Sequence, residues 1–179
     1  MKNHTRTQTL RLTLAAACLA LALVLPFVTG QIPQIGKMLS PMHIPVFLCG
    51  FLCGWPYALA VGAIAPPLRS VLFSMPAMYS AIPMAFELAA YGLLTGLLYR
   101  AFPKKTAFVY ITLLLSMLGG RLVWGAARFV MAGLTETEFP FSAFLAGAFT
   151  NAVPGIILHI LLVPAVVLGL RRARLMPDA

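Results

Sequence analysis

The stretch HIPVFLCGFLCGWPYALAVGAIAPPLRSVLFSM, His43 to Met75, decides the fold. It is apolar almost throughout and 33 residues long. A helix crossing a bilayer takes about 20 residues, so the block is too long for one span and too short for two full ones. Gly54-Trp55-Pro56 supplies a tight turn in its first half. The pattern predicts two short helices, about 43–54 and 56–74, the second disturbed by Pro66 and Pro67.

Outward from this block lie four more apolar runs, 12–28, 81–99, 107–131 and 143–170. Lys2, Arg6 and Arg11 precede the first, a pattern that also describes a signal peptide. That run is long for a signal core, and further apolar segments follow on either reading, so it is taken as the first of six spans. Composition agrees: 61% of the 179 residues are hydrophobic and 9% charged, against about 25% charged in a typical soluble protein. Such a chain cannot cover its own surface with polar groups, and the excess must face lipid. A soluble enzyme and a nucleic-acid-binding domain are excluded.

The 13 Lys and Arg outnumber the four Asp and Glu, and their placement tests the span count. Six spans with a cytoplasmic N-terminus put Lys2, Arg6, Arg11, Arg100, Lys104, Lys105, Arg171, Arg172 and Arg174 inside. Only Lys37 falls outside, together with Glu136 and Glu138. This is the asymmetry of positive-inside topology, and five spans would place a basic terminus outside. No Ser/Gly-rich linker, soluble segment or internal repeat interrupts the pattern. Residues 1–179 are therefore expected to form one all-α, multi-pass domain of the cell membrane, a compact six-helix bundle with both termini cytoplasmic.

Three cations, Arg69, Arg121 and Arg128, remain within the apolar segments, where Glu87 is the sole acid. A charge at mid-membrane costs about 2.5–3.5 kcal/mol, so each needs a partner, a watery cavity or an interfacial escape. All four charges fall in the outer half of their spans. Arg121, Trp124 and Arg128 share a helical face at i, i+3 and i+7, and Glu87 and Tyr91 share another at i and i+4. An ion pair of Glu87 with Arg121, or with Arg69, leaves two arginines over. One reading has Arg128 snorkelling to the outer headgroups and the rest forming a structural ion pair. The other has an outward-facing pocket with surplus positive charge, walled by Trp124 and Tyr91, suited to a small anion such as a carboxylate.

Asn151, about two turns into the sixth span, can reach the same pocket or bond a neighbouring helix. His43 and the deeper His159 each read first as structural residues. His43 also opens the second helix beside the long first outer loop, where a lid over the pocket can close. Cys49 and Cys53 lie four apart, Cys18 is remote, and no His or carboxylate accompanies them, so they read as small packing residues rather than a metal or redox site.

Catalytic signatures are missing. Gly36-Lys37 lacks the leading glycine and following Ser or Thr of a P-loop, so the chain does not hydrolyse ATP alone. There is no H-E-x-x-H, and one intramembrane acid is too few for a metal-dependent transferase. Ser70, Ser74 and Ser116 lack a nucleophile's setting. The chain is read as a non-enzyme without a cofactor of its own.

Several strings carry a resemblance: Pro41-Met42-His43-Ile44-Pro45-Val46, then Cys49-Gly50-Phe51-Leu52-Cys53-Gly54-Trp55, then Met84-Ala85-Phe86-Glu87-Leu88-Ala89-Ala90-Tyr91-Gly92. Gly120-Arg121-Leu122-Val123-Trp124-Gly125 and Pro154-Gly155-Ile156-Ile157-Leu158 complete it. Together with the length and six-span plan, they resemble the substrate-binding S components of energy-coupling factor (ECF) vitamin transporters, especially the broad group that includes riboflavin, folate and pantothenate binders. The resemblance implies capture of a vitamin or related micronutrient at the outer face, in a pocket built mainly from helices 4 to 6 and covered by the first, third and fifth loops. It also implies docking on a transmembrane coupling subunit attached to two cytosolic ATPases, which use the ATP, and toppling in the bilayer to release substrate inward. Ala16 and Ala20 on the first helix form a small-xxx-small pair of the kind that docks on the coupling subunit, and Cys18 and Ala22 form a second.

The expected function is thus the substrate-capture subunit of an ATP-dependent importer. The arginines favour a carboxylate-bearing vitamin, pantothenate first. The expected contacts are Arg121 and Arg128 to the anion, Tyr91 and Trp124 as walls and Asn151 as a hydrogen-bonding group. Glu87 orients Arg121 or contacts substrate hydroxyls, and His43 and Arg69 complete the set. The alternatives are a structural membrane subunit of a cell-envelope assembly and a stand-alone secondary transporter.

Overall fold

A computed structural model describes residues 2–29, 38–135, 137, 139–148, 150–173 and 176. Lys37, Glu136, Glu138 and Arg174, whose sides of the membrane were assigned above, lie outside the described residues. Among those described there are seven α-helices and no strand: α1 (Lys2–Val24), α2 (His43–Cys53), α3 (Trp55–Phe73), α4 (Met78–Ala101), α5 (Thr106–Leu134), α6 (Phe141–Ala148) and α7 (Val153–Arg172). Short 3₁₀ turns cover Leu25–Thr29 and Thr150–Ala152. Five stretches are long and apolar enough to cross a membrane: Thr7–Val28, Trp55–Phe73, Met78–Ala101, Thr106–Leu134 and Phe141–Arg172. His43–Cys53 is the shorter sixth.

The short helix is the centre of the bundle. At 1.5 Å rise per residue α2 is only about 16 Å long, well short of the hydrocarbon thickness. Every residue in it except Leu48 is buried, and it packs on α1, α3, α4 and α7. A helix surrounded by protein does not have to match the bilayer. It ends at Gly54, whose φ of 89° is the left-handed region open to glycine, and Pro56 starts α3 in its first turn. The turn expected at Gly54-Trp55-Pro56 is therefore where the chain reverses.

α3 and α4 form the most extensive interface, and glycines set their separation. A Cβ on Gly62 would overlap the Leu88 carbonyl, one on Gly92 the Ala58 carbonyl, and one on Gly96 the Trp55 backbone. Gly92 and Gly96 are four apart, so the α4 face laid on α3 is a small-xxx-small seam of the kind that lets membrane helices approach backbone to backbone. Large apolar side chains such as Leu12, Ile64, Phe86, Leu118, Leu122 and Phe129 point outward, as lipid-facing residues do.

One expectation is sharpened and one corrected. Pro66 and Pro67 lie inside the third span without ending it, since α3 runs through both to Phe73. Membrane helices tolerate proline where neighbouring groups satisfy the freed carbonyls. The sixth span is not one helix but α6, a 3₁₀ turn and α7, with Pro154 in the first turn of α7. Proline lacks the N–H that a continuous helix would use there, and it fits a helix start instead.

Candidate functional site

The outer end of the bundle holds a buried polar cluster centred on Glu87 of α4, which is 2% exposed. Arg121 Nη1 on α5 lies 2.8 Å from Glu87 Oε1. Tyr91, one turn along α4, donates its hydroxyl hydrogen to the same oxygen at 2.7 Å. His43 Nε2, at the start of α2, stands 3.6 Å from it. A buried carboxylate is tenable only with such compensation, because removing either ion from water costs several kcal/mol. Gly120 makes room for this: a Cβ there would strike the Tyr91 ring, so α5 can carry the neighbouring Arg121 close over α4.

Both ring nitrogens of His43 are buried without a hydrogen-bond partner among the described residues. The ring stacks on His159 of α7 at 5.7 Å between centroids and lies 5.3 Å from the Tyr91 ring. Phe47, one turn below His43, packs 4.8 Å from Tyr91 and 5.8 Å from His159. His159 is itself anchored, with Nε2 3.2 Å from the Ser40 carbonyl oxygen. Gly155, one turn earlier on α7, lets the Met38–Leu39 backbone cross the helix. The entry to α2 is thereby fixed on α7, and the cluster draws on α2, α4, α5 and α7.

A second group lies further out. Arg128 on α5 stacks over Tyr79 at 5.0 Å and Phe139 at 5.4 Å, and its Nε has no hydrogen-bond partner among the described residues. Trp124 packs between Phe139 at 6.1 Å and Phe144 at 6.3 Å. A Cβ on Gly125 would meet Phe144, and one on Gly147 would meet Trp124, so glycines seat α6 against α5. Arg121, Trp124 and Arg128 divide accordingly: Arg121 reaches inward to Glu87, while the other two join the aromatic layer.

The structure does not bring Arg69 to Glu87. Its Nε donates to the Leu23 carbonyl at 3.1 Å, its Nη1 to the Met75 carbonyl, and its guanidinium lies over Phe27 and Phe73. Of the two ion pairs left open, Glu87–Arg121 is the one formed. Asn151 sits exposed in the 3₁₀ turn between α6 and α7. His159 and Phe47 join the cluster although the sequence reading left them out. The signal for His159 was available, since a mid-span histidine is an intramembrane ionisable residue like the others.

Cys18 is not remote. Its thiol meets Cys49, which in turn meets Cys53, where α1 packs on α2. Among the described residues no group of three or more His, Cys, Asp or Glu has an arrangement fit for a metal. The two small pairs of α1 separate: Cys18 and Ala22 are buried, whereas Ala16 and Ala20 are exposed.

In comparisons with known proteins, a family model described as ECF transporter, substrate-specific component, matches residues 10–167. No curated protein and no solved structure matches.

Proposed function

The chain belongs to the substrate-specific component family of ECF transporters, and from that premise we propose that it captures a small, carboxylate-bearing vitamin at its outer end. Members of this family are integral membrane, substrate-binding subunits rather than enzymes, and they work with a coupling subunit and ATPases. Pantothenate is the first candidate.

The observation that carries this reading is the buried His43 ring, neither nitrogen of which has a hydrogen-bond partner among the described residues, beside the Glu87–Arg121 pair. A buried polar group left unsatisfied costs about 1–3 kcal/mol, so a ligand that bonds to it gains that much. His43 and Glu87 suit substrate hydroxyl or amide groups. Arg121, with one nitrogen held by Glu87, has further N–H donors for an anion. Arg121 is paired with Glu87 and Arg69 is turned away onto the Leu23 and Met75 carbonyls, so Arg128 supplies the positive charge nearest the aromatic layer. Tyr91 packs beneath the substrate, with Trp124 in the aromatic layer above it. Asn151 contributes an amide where α6 meets α7.

The test is a thermal-shift screen of the purified protein against water-soluble vitamins. A shift with pantothenate, and none with its alcohol analogue lacking the carboxylate, is expected. Equal shifts with both would remove the anion requirement, and no shift with any vitamin would overturn the substrate class.

A further inference from the structure

The inner end of the bundle carries a second feature, unrelated to the Glu87 cluster. A cavity of about 410 Å³ opens beneath the Gly54 turn, lined by Arg11 of α1, Cys53 of α2, Trp55 and Tyr57 of α3, and Tyr99 and Arg100 of α4. Gly54 and Gly96 also line it and bring no side chains into the space. Two further cations stand beside it. Lys104 donates to the Tyr99 carbonyl at 2.6 Å and lies 3.8 Å over the Tyr99 ring. Arg171 of α7 is near enough to act on both Tyr99 and Lys104. Partial burial first, and the Arg171 charge second, hold the Lys104 ammonium below the usual lysine range.

Among the described residues Glu87 is paired with Arg121 at the other end, and no acid lines the recess. Nine cations are assigned to the same side by topology. Most of them need no cavity to set orientation, but Arg11 and Arg100 project from separate helices onto one recess. The guanidinium fork matches phosphate oxygens, and Trp55 and Tyr57 supply the amphipathic surface that residues at headgroup depth present. Basic recesses between helices on the cytoplasmic side are suited to anionic headgroups.

We propose that this recess binds the phosphate group of an anionic glycerophospholipid of the inner leaflet, held by Arg11 and Arg100. Its glycerol backbone rests on Trp55 and Tyr57. The site is separate from the micronutrient site and does not depend on it.

Native mass spectrometry of the full chain with added phosphatidylglycerol or phosphatidylcholine tests the proposal. The wild type is expected to retain phosphatidylglycerol in preference. The double variant Arg11→Gln, Arg100→Gln should weaken that retention by about tenfold or more, the effect of losing charge-assisted contacts. Arg100→Gln alone, at an exposed position, should lose part of it, and covers the case in which the double variant fails to fold. Lys105→Gln, which removes a cation of the same end outside the cavity, should keep the preference. Equal loss in the Lys105 variant would reduce the effect to net charge and overturn the site. So would undiminished preference in both arginine variants. Stabilisation by phosphatidylglycerol but not by inorganic phosphate at equal ionic strength supports a lipid occupant, whereas equal stabilisation by both overturns it in favour of free phosphate. Unchanged lipid retention with weakened capture of the coupling subunit would make the recess a protein contact instead.

Discussion

Arg121 Nη1 and Glu87 Oε1, 2.8 Å apart, join α5 to α4 at the outer end of the bundle, and Tyr91 donates to the same oxygen. The pair fixes the rotation of both helices about their axes. It also holds the Arg121 guanidinium and the neighbouring His43 ring in place around one carboxylate oxygen.

Replacing Arg121 with alanine is expected to weaken substrate binding by well over tenfold, because a buried charge-assisted contact contributes about 1.5–3 kcal/mol. It also leaves Glu87 buried without its cation, a loss of about 3–5 kcal/mol in stability. Titration calorimetry together with the melting temperature separates the two effects. Unchanged affinity in a still-folded variant would exclude Arg121 from the binding set.

His43 and His159 should respond differently to phenylalanine. His159→Phe loses the bond to the Ser40 carbonyl and should cost about 1 kcal/mol of stability. His43→Phe removes no protein hydrogen bond among the described residues and only the 3.6 Å approach to Glu87, so the melting temperature should fall less than in His159→Phe while substrate affinity falls about five- to tenfold. A large stability loss at His43 with affinity intact would make it a packing residue.

The glycine seam of α4 predicts a graded stability series. Gly92→Ala places a methyl group against the Ala58 carbonyl, and overpacking of this kind costs about 1–3 kcal/mol. Gly133→Ala and Gly169→Ala meet nothing and should be neutral, or stabilising by up to about 1 kcal/mol, through helix propensity alone. Denaturation of the three variants under one set of conditions checks the order. Equal effects at all three positions would show that the α3–α4 approach is not set by Gly92.

Ala16 and Ala20 are exposed on α1, while Cys18 and Ala22 are buried. We expect Ala16→Leu with Ala20→Leu to leave folding and substrate binding intact but to abolish co-purification with the coupling subunit. Cys18→Leu with Ala22→Leu should destabilise the isolated protein by about 1–3 kcal/mol per site. Intact co-purification of the Ala16/Ala20 variant would move the docking face elsewhere on the bundle.

The helices themselves were legible because their signals are one-dimensional. The 43–75 block was too long for one span and too short for two, and the structure places a buried 11-residue helix and a 19-residue helix there. The Glu87–Arg121 pair was legible as one of two choices, since a buried acid must find a cation. Arg69 could not be excluded from the sequence, because its alternative partners are the backbone carbonyls of Leu23 and Met75, and carbonyls leave no mark in a residue pattern. The break between α6 and α7 is marked only by Thr150, Asn151 and Pro154 inside a run whose hydropathy as a whole still reads as one span.

What the sequence determined alone is where the apolar segments lie and which few charges within them need an explanation, because length and hydropathy act residue by residue along the chain. Only the tertiary structure decided that Cys18 meets Cys49, that His43 stacks on His159, that Trp124 belongs to an outer aromatic layer, and that Arg11 and Arg100 share a recess. The physical reason is the solvent. In lipid a helix is apolar toward both its neighbours and its surroundings, so the periodicity that marks the buried face of a helix in water is weak. Rotation and neighbour order are then set by where glycines permit contact and where buried polar groups find partners.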